Sequence, residues 1–83
     1  MREQVSRWAI QWNSISRLDG HRSYLIRDDN LNVMLFATRD EARRFNKNKY
    51  GYIKERGDLR AEPHGWKMPK VVRVIIDYNV GDL

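Results

Sequence analysis

An α+β domain is what these 83 residues predict: a small, mainly antiparallel four-stranded sheet with one helix packed on one face, in the order β-β-β-α-β. Three observations carry the prediction. Short runs rich in β-branched and aromatic residues occur at 7–12, 24–28, 32–37 and 70–78, several with the period of two of a half-buried strand. A Thr-x-x-Glu box at Thr38 and Glu41 opens a segment of helical periodicity. The segments between are turns and loops rather than linkers, so 1–83 is read as a single domain.

Each element has its own warrant. In "RWAIQW", Trp8, Ile10 and Trp12 alternate with Ala9 and Gln11. The polar stretch "NSISRLDGHRS" follows as a loop, with Asp19-Gly20 as a turn signal. "YLIRD" and "NVMLFA" read as strands two and three, joined through Asp28, Asp29 and Asn30 as a hairpin. The Thr38 hydroxyl can accept from the Glu41 amide, and Asp40 and Glu41 suit the positive end of a helix dipole. One helix is expected from 39 to 50, with Ala42, Phe45, Tyr52 and Ile53 on its apolar side. Gly51 either caps it in a left-handed conformation or kinks it into a short second piece. "GDLRAEPHGWKMP" is read as an irregular loop. "KVVRVIIDY" is the clearest strand, with Val72, Val74, Ile76 and Tyr78 on one face, and "NVGDL" is expected to fray.

Composition narrows the function classes. There is no cysteine, so disulfides and thiolate metal sites are excluded, and no apolar run approaches the roughly 18 residues that span a bilayer. "MREQVSRW" lacks the apolar stretch of a signal peptide, so a cytoplasmic location and no membrane contact are expected. The net charge is +5, and its distribution is uneven. Residues 39–56 carry Arg39, Arg43, Arg44, Lys47, Lys49, Lys54 and Arg56 against Asp40, Glu41 and Glu55. Four of the five excess charges therefore fall in that segment, a field suited to an anionic partner.

The spacing sharpens this. Arg39, Arg43 and Lys47 are four apart and line up along a helix, beside the apolar stripe. Arginine suits bidentate grip on phosphate, and Asn46 and Asn48 add tips able to read base edges. The leading reading is a non-enzymatic nucleic-acid-binding module gripping DNA or RNA through Arg39, Arg43, Arg44 and Lys47, extended by Lys54 and Arg56, with no cofactor. The competing account of the same charges is an ordinary solvated helix face.

A short β-sheet followed by Phe36-x-Thr38-Arg39-x-Glu41-Ala42-x-x-Phe45 resembles the arm-type DNA-binding domains of tyrosine integrases. That resemblance implies three strands, then a helix, with the sheet entering the major groove. The match covers about ten residues, and a strong strand after the helix departs from the pattern. Size and basic texture also resemble the small proteins carried by phages and prophages.

Two further readings stay open. The loop "RAEPHGW" places Glu62, His64 and Trp66 together as a contact site, Trp66 offering a stacking face. If His64 or His21 acts as acid or base, the chain is a small metal-independent nuclease, although no nucleophile–base or metal-ligand spacing stands out. The other reading starts from the aromatics. One helix covers one face of a sheet, so some of Trp12, Tyr24, Met34, Phe36, Val71 and Ile75 would lie on the other. Such a face would bind a host protein with an acidic surface, as an adaptor or inhibitor, or pair with a second copy as a homodimer.

Overall fold

In a computed structural model of the chain, which describes residues 2–17 and 20–79, two long strands set the shape. Strand β1 is Arg2–Ser16, β2 is Gly20–Leu25 and β3 is Trp66–Asn79. Helix α1, Arg39–Tyr50, runs into a 3-10 turn at Gly51–Lys54, and a single helical turn, α2, follows at Gly57–Arg60. The sheet order is β2-β1-β3, with both pairings antiparallel. The class is α+β.

The four strands of the sequence reading become three. The hairpin forms between β1 and β2, from Gln11↔Leu25 to Ser16↔Gly20, so most of the stretch read as a polar loop is strand. Asp19 and the tail 80–83 lie outside the described residues. The segment 32–37 is not a strand. Its strand pairing is limited to the single bridges Arg27↔Val33 and Trp8↔Phe36. The cause is the tight turn before it. Asp28 accepts from the amides of Asn30 and Asn32 at 2.9 and 3.0 Å, and Leu31 sits at φ 67°. The chain folds back so that Met34 N donates to Ile26 O, then rejoins β1 through the reciprocal Trp8–Phe36 bonds of 2.8 and 2.9 Å. Thr38 starts the helix two residues later, leaving no length for a ladder.

Helix α1 has the expected bounds. The Thr38 hydroxyl accepts from Glu41 N at 3.2 Å, and Asp40 and Glu41 occupy the first turn. Thr38→Ala is expected to lower stability by about 1 kcal/mol, seen as a lower urea midpoint at unchanged slope. An unchanged midpoint would mean that the cap contributes nothing. Gly51 is right-handed, at φ −57° and ψ −29°, so the left-handed cap is not used and the chain tightens into the 3-10 turn. The single-helix expectation is thus corrected. The loop read at 57–69 contains α2 and the start of β3.

Ring contacts show which sheet face the helix covers. Phe45 packs on Phe36, Tyr50 meets Trp12 edge-on, and the Arg39 guanidinium lies over Trp8 at 5.5 Å. Trp8, Ile10 and Trp12 share that face by alternation. Trp12 and Phe36 therefore belong under the helix, not on the uncovered face. Ile10, Ile26, Ala42, Ile53 and Leu59 are buried. A bulge lets the ladder turn over the core: Met68 and Pro69 stand opposite Trp12 alone. Proline is tolerated there because a bulge asks for no ladder donor.

The strands outrun the helix. Fifteen residues of β1 extend about 50 Å at ~3.3 Å each, whereas twelve helical residues span about 18 Å. The radius of gyration is 15.7 Å, against about 12 Å for a rounded chain of this length. The far end of the β1–β3 ladder is consequently bare, and Ile75 is 59% exposed there.

Candidate nucleic-acid interface

The basic residues of α1 divide by their place on the helix. Ala42 and Asn46 are buried against the sheet, and Phe45 and Tyr50 are half-buried. Every basic residue of the segment is exposed: Arg39, Arg43, Arg44, Lys47, Lys49, Lys54 and Arg56. Their engagements differ. The Arg39 guanidinium rests on the Trp8 ring, and Lys49 Nζ lies 5.5 Å from the Phe45 ring and 5.8 Å from Tyr50. These cations are oriented by aromatic faces and keep their charge. Arg43, Arg44, Lys47 and Lys54 make no ion pair among the described residues. Arg56 does: Nε and Nη2 donate to the two Asp58 oxygens at 2.9 and 2.7 Å. The Asp58 carboxyl is held below its ordinary value by the Arg56 hydrogen bond. Arg56 thus belongs to an internal pair, and of the six cations named in the sequence five face solvent without a carboxylate.

Sequence reasoning took Asn46 for an exposed tip. It is 8% exposed, and its Nδ2 donates to Pro69 O at 2.8 Å. Its position on the helical wheel, four residues after Ala42 and next to Phe45, carried that information. Asn46 ties the helix to the β3 bulge, while its Oδ1 is buried without a partner.

Around that residue is a pocket of about 580 Å³, between the C-terminal half of α1, the 3-10 turn and Met68 of β3. Arg43, Lys47 and Lys54 supply positive charge to its wall, Glu55 supplies one carboxylate, and Tyr52 a ring that is 47% exposed. Tyr52 was expected on the apolar side. In the 3-10 turn Tyr52 is left exposed, whereas Ile53, expected on the same side, is buried. Nothing in the linear sequence marked Tyr52, Glu55 and Asn46 as neighbours, because the change of helical pitch at Gly51 assembles them.

Trp66 of the Glu62–Trp66 loop lands on the covered face beside Trp12, which also meets Tyr50 at the end of α1. Trp66 packs edge-on against Trp12 with ring centroids 5.2 Å apart, and His64 lies edge-on to Trp66 at 5.5 Å. His64 and Trp66 line a smaller pocket, about 280 Å³, with Arg22, Tyr24, Ser14 and Trp12. Glu62 is drawn away, its carboxylate accepting from Arg17 N at 3.2 Å. His21 pairs with Ile15, one residue from the Ser14↔Arg22 pair that lines the pocket. By alternation His21 therefore faces the opposite side of the sheet from His64. The two histidines are not brought together. No cluster of three or more His, Asp or Glu able to hold a metal occurs among the described residues. Nor is any described helix long and apolar enough to cross a membrane.

The chain matches no protein family, no curated protein and no solved structure. The integrase resemblance accordingly rests on residues 36–45 alone.

Proposed function

We propose that the chain is a non-enzymatic nucleic-acid-binding module whose contact surface is the basic side of α1 and the 3-10 turn. One observation carries this: Arg43, Arg44, Lys47 and Lys54 are exposed and without carboxylate partners among the described residues, and three of them converge on one pocket wall. Unpaired cations on a rigid helix release condensed counterions when they meet phosphates, which favours association. Arg39, propped on Trp8, extends the ridge by one turn. A labelled oligonucleotide followed by fluorescence anisotropy tests the reading. Binding should weaken linearly in log–log with salt, at a slope of about −3 for four contacts to a single strand. Absence of binding to DNA and RNA at low salt would eliminate it.

The Arg56–Asp58 pair gives a second handle. Asp58→Asn frees one guanidinium beside the ridge, so affinity should rise and the slope should steepen by up to ~0.7. Because the folded pKa of Asp58 is depressed, its contribution to stability is present above the ordinary carboxylate range and is lost as pH falls through the folded value. Acidification through that range releases Arg56 as the substitution does. Unchanged binding by Asp58→Asn would place Arg56 outside the contact.

A second reading draws on the opposite sheet face. By alternation Val5, Val72, Val74 and Ile76 share it and are only half-buried, around Ala9, which is fully buried. This is the surface that a protein partner or a second copy would cover. A pull-down that recovers one stoichiometric protein, lost on Val74→Lys, would support that reading over the first.

A further inference from the structure

We infer that the pocket at the end of α1 takes one unpaired guanine nucleotide from a single strand. The inference rests on the nucleic-acid reading and names what one part of that surface selects. It begins with Asn46. The Pro69 carbonyl can only accept, so it fixes the carboxamide with Nδ2 toward the bulge and Oδ1 free. That oxygen is itself buried, so Asn46 sets the shape of the wall and the exposed lining residues meet the ligand.

The chemistry around Asn46 limits the ligand. The acceptor that the pocket wall presents is the Glu55 carboxylate, whose two oxygens can take two adjacent donors; the Asn46 carboxamide oxygen belongs to a wall residue but is itself buried. Its donors are the cations Arg43, Lys47 and Lys54. A ligand for this wall presents donors on one edge and negative charge or acceptors elsewhere. Guanine carries two adjacent donors, N1–H and the N2 amine, on its Watson–Crick edge, and O6 and N7 acceptors suited to arginine or lysine. Adenine and cytosine place a ring acceptor next to their amine, which a carboxylate repels. Thymine and uracil offer one imino donor between two carbonyls. The 5′ phosphate meets the cations, and Tyr52 supplies a half-exposed ring for stacking, the usual partner of a splayed-out base. The volume of about 580 Å³ accommodates one nucleotide. Arg39 and Arg44, beyond the pocket on the same helix, are placed for the neighbouring phosphates of a strand.

The test uses eight-nucleotide DNA strands: all-thymine, and the same strand with a central guanine, inosine or adenine. Guanine should bind roughly tenfold tighter than thymine or adenine, with inosine, which lacks the N2 amine, between them. Glu55→Gln removes one acceptor at an exposed position. It should erase most of the guanine preference, bringing the guanine strand to within about twofold of the thymine and adenine strands. Equal affinity for the four strands would overturn the pocket assignment and leave the ridge standing. Failure of every strand to bind at low salt would remove the ridge and this inference with it. Guanosine monophosphate alone should compete only at far higher concentration; competition as strong as that of the strand would mean a free nucleotide is the ligand and would overturn the single-strand assignment.

Discussion

Gly65→Ala should be the most damaging conservative change in the chain, lowering stability by about 3 kcal/mol or more. Gly65 has φ +60°, a region that residues with a Cβ rarely adopt. The steric conflict is larger still. A Cβ there would stand 1.6 Å from Ile15 O and 2.6 Å from Ile15 C, both backbone atoms of β1. No rotamer change relieves a clash with backbone. The Ile15 N to Gly65 O bond of 2.9 Å brings the strands this close, and Ser14↔Trp66 pairs immediately beside it. Separating them would pull Trp66 from Trp12 and open that end of the core. For a domain this small the loss is a large share of the total. Urea denaturation followed by circular dichroism reads it directly. Gly51→Ala is the control: at φ −57°, with nothing within 4 Å, it should be neutral or stabilising by up to about 1 kcal/mol. A Gly65→Ala variant as stable as Gly51→Ala would refute the packing described here.

Replacing Arg43 and Lys47 with glutamine together should have the largest effect on binding. The salt slope should shrink by about 1.4, two phosphates' worth on a single strand, and affinity at low salt should fall roughly ten- to hundredfold. Both residues are exposed, so stability should hardly change. An intact fold with an unaltered slope would show that phosphates are gripped elsewhere.

Legibility in the sequence followed how local each cause was. The capping box and the polar first turn sit within four residues, so α1 was readable to its ends. Alternation in 70–78 likewise announced β3. The length of β1 was hidden because its ends face solvent or a pocket: Asn13, Ser14 and Ser16 are strand residues only because β2 and β3 pair with them. Tertiary pairing there overrides a composition that reads as turn. The run 32–37 misled in the opposite direction. Its apolar content is real, but a turn through Leu31 limits it to single bridges. The basic ridge was legible as spacing. The pocket was not, since it depends on a change from α to 3-10 pitch at Gly51 and on a bulge at Met68 and Pro69 some twenty residues away.

Backbone amide shift mapping during titration with a single-stranded oligonucleotide is the most direct test of where the chain binds. The account predicts that the shifts concentrate in residues 39–55, with Arg43, Asn46, Lys47 and Tyr52 among the strongest, and that they collapse as salt is added. Shifts concentrated on Val5, Val72, Val74 and Ile76 instead, insensitive to salt, would contradict it and move the binding surface to the uncovered face of the sheet.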